Sequence, residues 1–252
     1  MASNIPKDHP RYLSLMTRER MADALKRGLI HETGLIAHGR GEAFDYLLGE
    51  KTPDVADEAA RVAAAHLLLA KNPVISMNGN DVALAAAEAV ELAGAVNAKI
   101  EVNLFHRSPE RVSRLVRELE AAGGKGVLGE NPDALVSGLS HDRAMCTTDG
   151  IHSADVVLVP LEDGDRCKAL LKMGKTVIAI DLNPLSRTAR GATVTIVDNI
   201  VRAIPNMTRH AKILSRVDRE TLLEITHAWD NEEGLRRVME IMVQHLSQAS
   251  FP

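Results

Sequence analysis

With one Trp, two Tyr and three Phe in 252 residues, this chain cannot build an aromatic-rich core. Its interior must be made of Ala, Val, Leu and Ile, which suits helices packed on a parallel sheet better than a β-sandwich. Cysteine is scarcer still. Cys146 and Cys167 are too few for a disulfide framework or a four-ligand zinc site, and their scarcity points to a reducing compartment. Neither sign of charge dominates, with 30 Lys and Arg against 34 Asp and Glu, so a polyanion-binding surface is not the main business and no nucleic-acid partner is expected. There is no run of 18 apolar residues, and MASNIPKDHPRY carries no apolar signal core, so the expected location is the cytoplasm, away from any membrane.

Several catalytic signatures are also missing. There is no HExxH pair and no Cys/His spacing for a metal, and His106, His141 and His152 lie scattered in loop-like sequence while His66 sits in an apolar helix as a structural residue. GLSHD, 138 to 142, lacks the GxSxG nucleophile elbow. MGKT, 173 to 176, ends like a P-loop but precedes the strand-like VIAIDL instead of opening a helix. GGKGVLGEN, 123 to 131, follows a helix and lacks the GxGxxG spacing of a dinucleotide fold, so it reads as a turn.

What is present is a substantial apolar fraction, 45% hydrophobic against 25% charged, arranged in two textures. Residues 1–71 are helical in pattern. Pro10 can start a helix through RYLSLMTRERMADALKRGL, a second helix is expected over Glu42 to Leu48, and a third over VADEAARVAAAHLLLA after Pro53. From residue 72 short apolar runs alternate with helical patterns: PVISMN, KIEVNLF, DVVLVP, TVIAIDL and ATVTIVD. This alternation predicts an α/β fold, a Rossmann-like and largely parallel sheet flanked by helices, with the helical extension of 1–71 packed on a core of 72–252 as one compact unit. After Gly234 a final amphipathic helix, LRRVMEIMVQHL, is expected.

In such sheets ligands sit beyond the carboxyl ends of the strands. The residues that follow the apolar runs are Asn78-Gly79-Asn80, His106-Arg107, Asp181-Leu182-Asn183 and Asp198-Asn199. The densest chemistry is DLNPLSRTARGATVTIVDN, 181 to 199. Arg187 and Arg190 offer forks for phosphate oxygens, and Asp181 offers a carboxylate at a strand end for ribose hydroxyls. The same residues also fit an ordinary turn with a helix cap and two solvated arginines, and Asn199 also reads as the N-cap of IVRAI. A second stretch, HGRGEAFDYLLGE from 38 to 50, sets Arg40 between glycines, where the guanidinium could reach an anion or be held by Glu42 or Asp45 at the surface. Arg18 in TRER could act similarly.

IPKDHPRY, LMTRER, GLIAHGRGEAFDYLLGE, PVISMNGN, KIEVNLFHR and DLNPLSRTARGATVTIVDNIVRAIPNM together resemble the archaeal phosphopantothenate synthetases, or 4-phosphopantoate–β-alanine ligases. The resemblance runs from about residue 5 to the C-terminal helix. It implies a homodimeric enzyme of coenzyme A biosynthesis that joins 4-phosphopantoate to β-alanine, cleaving ATP to AMP and diphosphate with Mg2+. It further implies ATP contacts at Arg18, Arg40, Asp181, Leu182, Asn183, Arg187, Thr188, Asn199 and Ile200, with Arg40 and Arg187 as the catalytic cations and no protein-held metal. Two other readings compete: a nicotinamide-dependent oxidoreductase, which the missing GxGxxG disfavours, and a nucleotide-binding module without turnover.

Overall fold

The computed structural model describes residues 5–9, 11–161 and 163–248, so the helix start expected at Pro10 lies outside the described residues. Three helices come first: α1 (Tyr12–Lys26), α2 (Glu32–Leu48) and α3 (Asp54–Leu69). The alternating part then runs β1 (Pro73–Met77), α4 (Gly79–Val96), β2 (Lys99–Val102) and α5 (Pro109–Ala121). A small hairpin of β3 (Ala134–Leu135) and β4 (Met145–Cys146) precedes β5 (Val156–Pro160), α6 (Gly164–Lys172), β6 (Thr176–Ile180), α7 (Arg187–Gly191), β7 (Val194–Ile196) and α8 (Ile200–Leu214). Finally α9 (Arg219–His227) and α10 (Asn231–Ser247) close the described chain.

The main sheet is fully parallel, in the order β2-β1-β5-β6-β7. Its strands are near-continuous apolar runs because both faces are covered. Alternate residues divide between two cores. Ile75, Met77, Leu158, Ile178 and Ile180 face one side, packed with α3, α4 and α8. Val74, Val157, Val159, Val177 and Ala179 face the other, packed with Cys146, Cys167 and Leu170. The alanines of α3 are fully buried, which lets its backbone lie close to α8.

Three boundaries differ from the sequence expectation. α2 begins at Glu32, ten residues before the expected Glu42, so Arg40 sits within the helix and not at its mouth. The glycines that argued for a break cost roughly 1 kcal/mol each, and tertiary contacts offset this. The His31 ring accepts from Thr33 N at 3.3 Å, and a Cβ on Gly41 would already touch Leu182 at 3.4 Å. α10 likewise begins at Asn231 and runs through Gly234, whose missing side chain makes room for the Trp229 ring: an added Cβ would come within 2.6 Å of it. The turn Arg187–Gly191 is helical where a loop was expected, because Ser186 Oγ accepts from Ala189 N at 2.9 Å.

Both cysteines are buried and free. Burial, reinforced by the nearby Glu101 carboxyl, pushes the Cys146 thiol up to about 11. Since only the thiolate reacts, native protein at neutral pH should resist iodoacetamide at both cysteines while denatured protein is alkylated twice. Labelling measured by intact mass checks this, and rapid modification of the native chain at either position would contradict the burial described.

Candidate active site

The strand order reverses between β1 and β5: β1 leads to β2 on one side, while β5, β6 and β7 extend on the other. Such a switch point leaves a crevice at the carboxyl ends of the two strands. Asn78, immediately after β1, spans it. Its Nδ2 donates to the carbonyls of Pro160 and Leu161, each at 3.3 Å, while its Oδ1 accepts from Asn80 N at 2.9 Å and Asp81 N at 3.2 Å, capping α4. Leu161 has φ of +45°, a left-handed conformation uncommon for a non-glycine residue. Two recesses open on either side of this residue, sharing Leu161 and Ala37 as their common wall.

The larger, about 410 Å³, lies over the ends of β5 and β6. Arg40, Gly41 and Phe44 of α2 form one wall; Asp181, Leu182, Asn183, Ser186, Arg187 and Thr188 form the other. The half-buried Asp181 carboxylate accepts from Ser186 Oγ at 2.5 Å and from Asn183 N at 3.0 Å. Burial pushes its carboxyl above the usual range, against those hydrogen bonds and the charge of Arg40. Arg187 makes an exposed ion pair with Asp165 at 3.1 Å, the kind that a better anion displaces easily. Gly164 is needed here, because a Cβ on it would lie 2.5 Å from Arg187 Cβ.

The surface pairs open to Arg40 in the sequence are taken by other arginines. Glu42 accepts from Arg18 Nε at 2.9 and 3.1 Å, and Asp45 accepts from Arg202 Nη2 at 2.5 Å. Among the described residues Arg40 has no hydrogen-bonding or ion-pair partner, and its fork is left to the cleft.

The smaller recess, about 160 Å³, is bordered by His31, Thr33 and Gly34 of the α2 start, Asn78 to Asn80, Phe105, His106, Arg111 and Arg143. Arg111 is held from behind, donating from Nε to Leu29 O at 2.9 Å and from Nη1 to His106 O at 2.8 Å. Burial and the neighbouring charge of Arg143 both lower its guanidinium below its ordinary value. Two guanidiniums converging on a small recess are favourable where an anion lies between them. Arg143 is set by Asn103, fully buried, whose Nδ2 donates to Arg143 O at 3.3 Å and Met145 O at 2.9 Å. Its guanidinium lies 3.4 Å from Asp163, the N-cap of α6. His106 stacks on His31 with ring centroids 4.1 Å apart, and burial together with His31 and Arg111 holds it below the usual imidazole value.

Of the residues singled out in the sequence, Arg40, Asp181, Leu182, Asn183, Arg187 and Thr188 are brought together in the larger cleft. Arg18, Asn199 and Ile200 do not line it. Arg18 donates to Glu42 and, at 2.6 Å, to Tyr46 Oη. Asn199 caps α8 through Val201 N and donates from Nδ2 to Asp45 at 2.9 Å, while the Ile200 side chain is in the core. Both polar residues reach the cleft only through α2. Arg107 turns away to Gly129 O at 2.5 Å, fixing the glycine turn. Arg111 and Arg143 were not legible, since a lone arginine in a helix or loop usually reads as solvated.

Comparison with known proteins adds an independent line. A family model described as phosphopantothenate/pantothenate synthetase matches residues 55–245. A Methanosarcina mazei protein named 4-phosphopantoate–β-alanine ligase is 52% identical over 244 residues, covering 97% of this chain and 96% of that one. A Thermococcus kodakarensis protein of the same name is 53% identical over 237 residues, covering 94% and 91%. One from Methanospirillum hungatei is 49% identical over 249 residues, covering 96% and 98%.

Proposed function

Since this chain belongs to the phosphopantothenate/pantothenate synthetase family, we propose that its two recesses are the nucleotide and acid subsites of a single ligase site. The enzyme joins 4-phosphopantoate to β-alanine on the route to coenzyme A. ATP occupies the larger cleft, with Asp181 and Asn183 toward the ribose and Arg40 and Arg187 on the phosphates. The acid occupies the smaller recess, its phosphate between Arg111 and Arg143. The observation that carries this reading is the common wall at Ala37 and Leu161. Across that wall a carboxylate held in one recess comes next to an α-phosphate held in the other.

A carboxylate resists attack by an amine, because its charge repels the nucleophile and oxide is a very poor leaving group. In the first step a carboxylate oxygen bonds to the α-phosphorus and the bond from that phosphorus to the bridging oxygen breaks, releasing diphosphate and leaving an acyl adenylate. The β-alanine amine, having lost a proton to solvent or a neighbouring base, then bonds to the acyl carbon, AMP departs, and the second amine proton leaves with amide formation. Juxtaposition of the reactants supplies much of the acceleration. Arg40 and Arg187 stabilise charge gathering on the α-phosphate and the leaving diphosphate. No protein nucleophile is called for.

Among the described residues no three Asp, Glu, His or Cys side chains converge as a metal site. Magnesium fits as part of the MgATP substrate, held chiefly by phosphate oxygens and water. The test is isotope exchange: labelled diphosphate should enter ATP when 4-phosphopantoate is present and β-alanine absent. Formation of ADP and phosphate would exclude adenylation in favour of an acyl phosphate. ATP binding without any AMP formation would leave only a sensing module.

A further inference from the structure

α2 forms a wall of both recesses, yet it is poorly seated. From Glu32 to Phe44 none of its residues is buried, and only Asp45 and Leu48 are. Asp45 is held by an unusual device. Arg202, one turn into α8, places Nη2 2.5 Å from Asp45 Oδ1 and Nη1 3.3 Å from Asp45 Oδ2. The same guanidinium donates from Nε to Asp198 Oδ1 at 2.8 Å and brings Nη2 to 2.6 Å from that oxygen. The Asp45 and Asp198 side chains are 8% and 0% exposed, and that of Arg202 18%. The remaining carboxylate oxygens are satisfied too: Thr52 Oγ1 donates to Asp198 Oδ2 at 2.6 Å, and Asn199 Nδ2 to Asp45 Oδ2 at 2.9 Å. Asp198 ends the segment after β7, so the cluster ties α2 directly to the sheet.

We infer that Arg202 is a positioning residue for the nucleotide: by bridging Asp45 to Asp198 it fixes the helix that carries Arg40 and Phe44 over the larger cleft. The inference rests on that cleft being the ATP subsite. A helix is stiff and rises about 1.5 Å per residue, so clamping Asp45 sets Arg40 roughly 7.5 Å further along the axis. Gly41, one turn before Asp45, is thereby pressed toward Leu182. The start of α2 has its own attachments, Asn80 Nδ2 donating to Gly34 O at 2.9 Å and His31 stacked on His106. Loosening the clamp should therefore disturb ATP and spare the acid. A planar fork engages both carboxylates in one fixed geometry; a lysine ammonium keeps the charge and loses that geometry.

The experiment compares full-length Arg202→Lys, Asp45→Asn and wild type for ATP affinity by calorimetry, for KM of both substrates and for Tm. A core variant remote from α2, Leu119→Ala, serves as a control for lost stability alone. Arg202→Lys should raise the Kd and KM for ATP about tenfold, in keeping with the sensitivity of rates to displacements near 1 Å. The KM for 4-phosphopantoate should stay within twofold, and Leu119→Ala should lower Tm without moving either KM. Asp45→Asn, which retains one fork contact, should show a smaller shift in the same direction. A fall in Tm with unchanged ATP affinity, equal weakening of both substrates, or loss of fold in both clamp variants assigns the cluster to stability and overturns the inference. Wild-type protein that binds no ATP overturns the subsite reading itself, and is seen before any variant is compared.

Discussion

Replacing Arg40 with lysine is expected to lower kcat/KM for ATP by about one to two powers of ten while leaving Tm nearly unchanged. Arg40 lies exposed on the cleft wall and makes no protein ion pair among the described residues, so its removal opens no cavity and strands no buried partner. What is lost is a fork that meets two phosphate oxygens at once, where an ammonium offers a single point of charge. A charge-assisted hydrogen bond is worth roughly 1.5 to 3 kcal/mol, which corresponds to about 10- to 100-fold. The loss should fall on kcat as well as KM, because charge on the α-phosphate and departing diphosphate grows as the bond breaks. Steady-state kinetics with ATP varied checks this. A lysine variant with near-wild-type kcat/KM would reduce Arg40 to a general contributor to the local potential.

Unphosphorylated pantoate is expected to be a poor substrate, down by about 10- to 100-fold in kcat/KM against 4-phosphopantoate, from the loss of one charge-assisted contact. The expectation comes from the two guanidiniums that border the small recess, Arg111, whose charged form is disfavoured by burial and by Arg143, and Arg143, which Asp163 accompanies at 3.4 Å. A dianionic phosphate offsets the repulsion between them directly, and an acid lacking it forgoes this contact. Arg111→Ala should accordingly collapse the discrimination, weakening 4-phosphopantoate strongly and pantoate much less. The two effects together separate a phosphate subsite from a generally basic pocket. Equal turnover of the two acids by wild type would move the phosphate out of this recess, and undiminished discrimination in Arg111→Ala would assign the selectivity to other groups.

The strands and most helices were legible because their signals are local. Apolar runs such as VVLVP and TVIAI, separated by amphipathic stretches, leave little choice but a buried parallel sheet, and the strand ends then put Asn78 and Asp181 at the carboxyl edge, where such sheets form their crevices. DLNPLSRTARG was legible as a site because hydroxyls, a carboxylate and arginines crowd into one turn, and the structure brings Asp181, Asn183, Arg187 and Thr188 into one cleft. The start of α2 was not, because glycine disfavours helix in isolation and only contact with Leu182 and Asn80 shows why it is retained. Nor could the second recess be seen. Its arginines, 111 and 143, stand apart in the chain, and each alone resembles a solvated side chain.

The sequence by itself therefore determined the class of fold, the strand ends that border the candidate site, the half of that candidate site written in one continuous loop, and the motifs that resemble the family. It determined these because hydrophobic periodicity and turn chemistry act over a few residues. Which arginines are engaged within the protein and which are left facing the cleft was decided only by the tertiary structure. Arg18, Arg40 and Arg202 are indistinguishable as side chains. Glu42 engages the first and two buried carboxylates engage the third, while among the described residues no carboxylate forms an ion pair with the second, and that allocation depends on distances between segments up to 157 residues apart. A charge declares its role through what surrounds it, and for these groups the surroundings come from elsewhere in the chain.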